Sequence, residues 1–396
     1  MRALLSLAIG SFGIGMGEFV VMGLLPQISA DLLPGLTAAD PEAAIAQTGW
    51  LISLYALGVV IGAPTIAASV AKYPRHRVML VLAAALTVFN VLTVIAPTFE
   101  LVAVSRLLAG LPHGAFFGIG ALVASDVLGP GTRAKGAAFV LTGLTIANVV
   151  GVPLGTFLGQ QLGWRVAFAI VAAIFALTAV MIALFVPAHA GDPGRTLRAE
   201  LGAFRIPQVW LAIGIGAIGF GGFFAAYSYI APVVTDVAGS PGWVVPIILV
   251  VMGLGMTVGN LVGGHLADID LKRTLLGGFV VFIVVEVLFA LTAQWIVPLA
   301  ICVFAVGAVT SALAPTVQSR LMSVAGDNQS IAAALNHSAL NVGNALGAFL
   351  GGLVIAGGLG FVAPIWVGVV LAVAGFALAL TSYALEARRP AFAVTA

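Results

Sequence analysis

Uninterrupted apolar runs recur along the whole chain, and each is about as long as a bilayer is thick. A helix crosses the hydrocarbon core of a membrane with about 20 apolar residues. The runs do not alternate with a period of two, which favours helices over a membrane barrel. Twelve spans, numbered 1 to 12, are predicted near residues 4–25, 49–71, 78–97, 100–124, 137–160, 165–187, 208–230, 244–267, 274–293, 297–319, 331–355 and 361–385.

The composition indicates a chain that is solvated mostly by lipid. Only 8% of the 396 residues are charged, whereas 61% are apolar. Soluble domains carry roughly 25% charged residues, so a soluble enzyme and a disordered chain are both excluded. We therefore predict an all-α integral membrane protein that works as a monomer in the lipid bilayer. The net charge of +2 is too small to indicate a nucleic-acid partner.

The basic residues fall on one side of the predicted membrane. Cytoplasmic loops carry an excess of Lys and Arg, and a cytoplasmic N-terminus puts 14 of the 16 Lys and Arg residues on the inner side. Arg320 is counted on the inner side, whereas Arg165 falls at the outer face and Arg106 within the membrane. The pattern predicts a multi-pass protein of the cell's inner (plasma) membrane with both termini in the cytoplasm.

The two halves of the chain resemble each other. The polar stretch 188–207 predicts a cytoplasmic linker between six-helix bundles at 1–187 and 208–396. Residues 147–151 of span 5 are similar to residues 343–347 of span 11, an offset of 196, and the loops after spans 2 and 8 match at an offset of 197. Such internal repeats are typical of transporters that work by alternating access. No phosphate-binding loop occurs in the sequence, so ATP is not expected to drive the cycle.

Several motifs lie in these spans and loops. The loop after span 8 has the pattern G-x-L-x-D-x-x-x-[RK]-[RK], and span 4 has the pattern R-x-x-x-G, which starts at Arg106. Span 1 contains Gly-Glu-Phe at 17–19, shortly before Gly-Leu-Leu-Pro at 23–26. The loop pattern supplies Gly264, Asp268, Lys272 and Arg273, and a Gly/Pro-rich series in span 5 supplies Gly143, Gly151, Pro153 and Gly155.

With these motifs the chain resembles the major facilitator superfamily over essentially its whole length. Span 1 is similar to the drug:H⁺ antiporter branch that includes arabinose, sugar and chloramphenicol exporters. The resemblance implies the major facilitator fold, in which two pseudo-symmetric six-helix bundles enclose a cavity. It also implies that the series in span 5 is an antiporter motif and that the loop after span 8 helps gate the cytoplasmic side.

The first-half loop departs from the family pattern. It keeps the basic residues Arg75 and Arg77, but Ala71 stands where the family usually has Asp. The resemblance implies that this Asp helps to lock the cytoplasmic side shut. Asp268 is therefore expected to carry the acidic part of the gate alone.

Three ionisable residues are predicted inside the membrane, where such groups are costly and often functional. Glu18 lies about 21 Å deep in span 1 and Arg106 about 9 Å from the outer edge in span 4, which is the same level. We expect Glu18 to bind the coupling proton, with Arg106 beside it and His113 two turns further along span 4. The alternative is a permanent Glu18–Arg106 ion pair that only fixes helix packing. Glu286 in span 9 is expected to make a structural hydrogen bond between supporting helices.

Polar and aromatic residues are candidates for the lining of the substrate cavity. His337, Asn341 and Asn344 share one face of span 11, because they are spaced i, i+4 and i+7. The alternative for the asparagines is that they join neighbouring helices. Tyr229 is expected at the membrane interface. The predicted lining consists of Asn148, Phe223, Tyr227, His337, Asn341 and Asn344.

These features predict a proton-coupled secondary transporter that exports a sugar, a nucleoside or an amphipathic drug by substrate/H⁺ antiport. The alternative is a proton-independent facilitator of a small polar solute on the same fold. A membrane enzyme is disfavoured because no metal-ligand cluster or nucleophile motif occurs in the sequence, and a receptor because no large extramembrane portion does. No cofactor and no metal ion is expected.

Overall fold

The computed structural model describes residues 1–70, 72–129, 132–188, 205–325 and 329–387. Twelve helices in these ranges are long and apolar enough to cross a membrane, and each overlaps one predicted span. The described residues contain helices, turns and no strand. Spans 1 to 12 are Arg2–Leu32, Pro41–Ile66, Arg75–Ile95, Phe99–Leu128, Lys135–Leu162, Trp164–Phe185, Pro207–Ser228, Val244–Ile269, Leu271–Thr292, Ile296–Val324, Leu335–Ala356 and Ala363–Ala387.

Several helices extend beyond the predicted apolar runs. Span 1 continues to Leu32 and span 2 begins at Pro41, with a short helix Pro34–Ala39 between them. Helical backbone hydrogen bonding does not stop at the edge of the hydrocarbon core, so polar turns can extend a span into the headgroup region. We call the end of the molecule that carries Pro34–Ala39 the outer end and the opposite end the inner end, following the predicted orientation. Most of the predicted linker 188–207 lies outside the described residues.

The same packing recurs in both halves. Span 2 packs on span 4 as span 8 packs on span 10, and span 3 packs on span 6 as span 9 packs on span 12. Glycines allow this close approach, because a Cβ at these positions would overlap a backbone carbonyl of the neighbouring span. The pairs are Gly58 with Leu107 and Gly62 with Leu111 in the first half, and Gly255 with Phe304 and Gly259 with Ala308 in the second.

The glycines of the predicted antiporter motif lie against span 1. A Cβ at Gly143 would overlap the backbone of Ala8, and one at Gly151 would lie 2.7 Å from the ring of Phe12. Ala147–Gly151 form a π-helical turn, and the α-helix that follows begins at Val152 with Pro153 in its first turn. Such turns are rare and frequently occur at functional sites. The motif therefore holds span 5 directly against the helix that carries Glu18.

The two halves join at the outer end and separate towards the inner end. One buried apolar cluster draws on both halves and includes the outer-end residues Leu25, Leu51 and Leu249. Near the inner end, the cluster around Leu7 draws on the first half alone, and a smaller one around Leu321 draws on the second half alone. Apolar packing therefore closes the outer end of the interface between the halves.

Polar contacts reinforce the outer closure. The Ser53 hydroxyl donates to the carbonyl of Ala345 at 3.2 Å, which joins span 2 to span 11. The side-chain amide of Gln160 donates to the carbonyl of Gly242 at 3.0 Å, which joins span 5 to the segment before span 8. We call these contacts, together with the surrounding apolar packing, the outer seam.

Candidate functional site

Glu18 connects the two halves in the interior of the protein. Its side chain is only 6% exposed, and its Oε1 accepts a hydrogen bond of 2.8 Å from Nδ2 of Asn344. Glu18 belongs to span 1 and Asn344 to span 11, so this bond crosses from one half to the other. The sequence predicted both residues as site residues but did not predict that they contact each other.

Arg106 is fully buried beside this bond and does not form a direct ion pair with Glu18. Its guanidinium carbon lies 4.1 Å from the ring centre of Tyr55 and 5.3 Å from that of Phe168. All three guanidinium nitrogens are without a hydrogen-bond partner among the described residues. Arg106 and Glu18 still attract each other electrostatically. The permanent ion pair considered as an alternative is therefore absent from this conformation.

His113 and His337 meet across the halves. Their Nε2 atoms are 3.3 Å apart, and His113 also contacts the rings of Tyr55 and Phe117. His113 is almost completely buried, whereas His337 is half-buried. The sequence placed these histidines in separate sets, one with the proton site and one with the cavity lining, because it did not show which spans lie opposite each other.

The remaining predicted asparagines occupy two different environments. Asn148 lies in the π-helical turn of span 5, and its Oδ1 is buried without a partner among the described residues. A Cβ at Gly253 of span 8 would overlap the Asn148 carbonyl, so this turn touches the opposite half. Asn341 donates to the carbonyl of His337 in its own helix at 3.0 Å. Both side chains keep a free carbonyl oxygen in the interior.

The aromatic residues of span 7 pack against span 1. The ring centres of Phe19 and Tyr227 are 5.8 Å apart, and those of Phe223 and Tyr227 are 5.2 Å apart. Tyr229 was predicted at the membrane interface, and this prediction is wrong. Its side chain is fully buried just after span 7, and its hydroxyl donates to the carbonyl of Ala348 in span 11 at 2.7 Å.

The predicted gating residues lie at the inner ends of the spans. Arg75 pairs with Asp126 at 2.5 Å, and Lys272 lies over the ring of Tyr383. Asp270 caps span 9 by accepting a hydrogen bond from the backbone N–H of Arg273, and it also pairs with the Arg273 side chain.

Asp268 is exposed and has no ion pair with another described residue. Gly264 has open space around it, and Arg77 is exposed. The departure at Ala71 lies outside the described residues. The predicted acidic gate residue Asp268 is therefore free of ion pairs among the described residues in this conformation.

A second buried charge site was missed from the sequence. Arg320 was counted among the cytoplasmic residues, but only 3% of it is exposed. Its guanidinium donates to Glu386 at 2.8 Å and to the hydroxyl of Ser382 at 2.8 Å, and it lies over the ring of Tyr383. Span 10 is longer than its apolar run and carries Arg320 into this contact with span 12. The opposite charges of Arg320 and Glu386 are the signal that could have predicted this buried ion pair, but the two residues are far apart in the sequence.

Glu286 and a peripheral cavity complete the set of candidates. Glu286 is fully buried, and neither carboxyl oxygen has a hydrogen-bond partner among the described residues, so the expected structural bond is not present.

A cavity of about 490 Å³ lies in the outer seam, between spans 2, 4 and 11, and its lining includes Ala46, Trp50 and Phe349. The described residues hold no group of three His, Cys, Asp or Glu side chains that would ligate a metal ion.

Comparisons with known proteins agree with this architecture. The family model of the Major Facilitator Superfamily matches residues 7–269 and residues 242–394. The chain is 37% identical over 358 residues to the inner membrane transport protein YdhP of Escherichia coli K12, covering 90% of each chain. It is 31% identical over 373 residues to a chloramphenicol resistance protein of Streptomyces lividans, covering 93% of each chain.

A solved structure supports the fold independently. The human organic anion transporter MFSD10 superimposes with a TM-score of 0.67, covering 96% of this chain and 99% of that one at 15% identity. The predicted family and the predicted helical membrane fold are both confirmed. With twelve helices among the described residues that are long and apolar enough to cross a membrane, and a family model that matches nearly its whole length, the chain belongs to the Major Facilitator Superfamily, whose members are membrane transporters and not enzymes.

Proposed function

We propose that this transporter exports small organic molecules from the cell in exchange for protons. The observation that carries the proposal is the bond between Glu18 and Asn344, a buried carboxylate that joins the two halves. Ionisable residues inside a membrane mark ion and substrate pathways. Here such a residue forms one of the contacts that must break when the halves move apart.

The bond gives a proton a way to act on conformation. A hydrogen bond to an ionised acceptor is roughly twice as strong as one between neutral groups. Proton binding to Glu18 therefore weakens the contact with Asn344 and changes the relative free energy of the two access states. Release of the proton restores the contact. A proton that enters from one side and leaves on the other thus drives a conformational cycle.

The neighbouring groups suit a neutral, oxygen-rich substrate. Arg106 has unpartnered donors, whereas Asn148 and Asn341 have unpartnered acceptors, all in the interior. Hydroxyl and carbonyl groups of a sugar, a nucleoside or a chloramphenicol-like drug match this set, and Phe223 and Tyr227 offer apolar contact. The chloramphenicol resistance protein among the relatives supports this class of substrate.

The proposed setting is the cell's inner membrane, as in the relative named as an inner membrane protein, with both termini cytoplasmic. The proposed site is built within one chain, so we infer that a monomer carries out transport. In this proposal, the loop that contains Asp268 and the loop that contains Arg75 and Arg77 gate the inner end. Each proton that crosses 100 mV contributes about 2.3 kcal/mol to the export of substrate.

The test uses inverted vesicles that contain the full chain and have an acidified lumen. Arabinose, a thiogalactoside, nucleosides, chloramphenicol and a cationic dye are added one at a time while luminal pH is followed. We expect at least one compound to release luminal protons with the wild-type chain, and none to do so with Glu18→Gln. The amount of Glu18→Gln in the membrane and its thermal stability serve as controls for folding.

Two outcomes would overturn the assignment. Full proton release by Glu18→Gln would remove the role of Glu18. Counterflow of a labelled compound that is indifferent to an imposed pH gradient would identify the chain as a proton-independent facilitator.

A further inference from the structure

The structure places two imidazole rings from opposite halves of the transporter against each other. Nε2 of His113 in span 4 lies 3.3 Å from Nε2 of His337 in span 11, with the ring planes inclined by 66°. The two Nε2 atoms face each other at hydrogen-bond distance, and the tautomers decide which ring donates. The proposed cycle assigns His113 and His337 no step.

The spacing of the two nitrogens suits a metal ion. Neutral imidazole is the commonest metal ligand in proteins. Zn²⁺ binds imidazole nitrogen at about 2.0–2.1 Å with tetrahedral geometry, which separates two such nitrogens by about 3.4 Å. The pair is already held at this spacing by two helices. We propose that His113 and His337 form a site for a divalent transition-metal ion such as Zn²⁺, which bridges the two halves.

The surroundings define what kind of site this is. Asn341 lies one turn after His337 on the same helix, and its Oδ1, buried without a partner among the described residues, is a candidate for a further oxygen ligand. The rings of Tyr55 and Phe117 cover other sides of His113. Water would complete the coordination of a bound ion from the side on which His337 is half-buried.

The charges nearby limit the affinity. Arg106 interacts with His113 electrostatically and opposes the charge of a bound cation. The described residues supply no third His, Cys, Asp or Glu ligand. The site is therefore reversible and weaker than a structural zinc site, which has four protein ligands.

A metal ion at this position would act on conformation. Its two histidine ligands come from different halves, so it binds best when span 4 and span 11 are as close as they are here. A ligand stabilises the state that it binds, in proportion to its differential affinity. Bound Zn²⁺ is thus expected to hold the outer-closed arrangement and to inhibit transport.

The first experiment measures metal binding without a substrate. The full chain is purified with an affinity tag that contains no histidine. It is then titrated with ZnCl₂ while its thermal unfolding is followed. We expect Tm to rise with Zn²⁺ and to return to its starting value with EDTA. His113→Gln and His337→Gln are each expected to need at least ~10-fold more Zn²⁺ for the same rise, since loss even of outer-shell partners costs 10–100-fold in metal affinity.

The matched control is His265→Gln, which removes an exposed histidine of the gating loop. It should respond to Zn²⁺ like the wild type. If His113→Gln fails to fold because its site is buried, half-buried His337→Gln still decides the question. The proposal fails if Zn²⁺ leaves the wild-type Tm unchanged. It also fails if the Zn²⁺ response survives in His337→Gln, or if His265→Gln loses it to the same extent.

Discussion

At the scale of single residues, the environment of Arg106 is the least expected feature. A buried guanidinium in a membrane normally pairs with an acid or with backbone carbonyls. Here it is stabilised by the faces of aromatic rings, and the nearer ring belongs to Tyr55. A desolvated cation–π contact contributes about 2 kcal/mol. Tyr55 therefore keeps Arg106 in place while leaving its N–H groups available.

This arrangement predicts the behaviour of two substitutions at one position. Tyr55→Phe keeps the ring and should leave the thermal stability close to that of the wild type. Tyr55→Leu removes the ring and should lower the stability by about 2 kcal/mol or more, since a packing defect adds to the lost cation–π contact. The measurement is thermal unfolding in detergent, with membrane expression level as a second readout. Equal loss in both variants would show that the hydroxyl, and not the ring, supports Arg106.

Residue types were easier to predict than residue partners. Depth arithmetic placed Glu18 and Arg106 at one level, and helical spacing placed His337, Asn341 and Asn344 on one face. Which groups touch depends on how spans from opposite halves face each other, and a single sequence does not contain that information. For this reason the Glu18–Asn344 bond, the His113–His337 contact and the burial of Arg320 emerged only from the structure.

At the scale of helices, small residues decide how closely the spans approach. Gly143 is a clear case, because a Cβ there would overlap the backbone of Ala8 and lie 2.9 Å from the backbone nitrogen of Phe12. Backbone cannot move aside as the end of a side chain can. The glycines of span 5 thus set the distance between the π-helical turn and the helix that carries Glu18.

Gly143→Ala should therefore destabilise the protein and reduce transport. The overpacking is expected to cost roughly 1–3 kcal/mol, because span 5 must shift away from span 1. The control is Gly277→Ala in span 9, where no neighbouring atom lies within 4 Å of the added Cβ. That change should be neutral or slightly stabilising, as expected for alanine in a helix. Thermal unfolding of the two variants side by side measures the difference, and equal Tm values would contradict this account.

The helices themselves were largely predictable. Continuous apolar runs are a strong signal in a membrane protein, because the backbone must satisfy its own hydrogen bonds. The ends were less predictable, since Leu32 and Pro41 lie beyond the apolar runs of spans 1 and 2. The π-helical turn at Ala147–Gly151 carries no composition signal, and it lies where span 5 packs between span 1 and span 8.

At the scale of the whole molecule, the two halves join at the outer end, and the proposed transport cycle requires this closure to open. The outer seam contains extensive apolar packing but only two polar side-chain bonds that the described residues show between the halves there, from Ser53 and from Gln160. Each such bond contributes about 1 kcal/mol. A seam with so few polar bonds can open without leaving many buried polar groups unpaired.

Removal of both bonds should therefore shift the balance between access states. The double variant Ser53→Ala with Gln160→Ala is expected to favour outer opening by about 2 kcal/mol, or roughly 30-fold in the equilibrium constant. The reporter is Ala46→Cys in a Cys302→Ser background, because Ala46 is only 5% exposed and lines the cavity in the seam. A membrane-impermeant thiol reagent should label this cysteine faster in the double variant. Right-side-out and inverted vesicles tell which face opens, and an unchanged labelling rate in both would mean that apolar packing alone sets the closure.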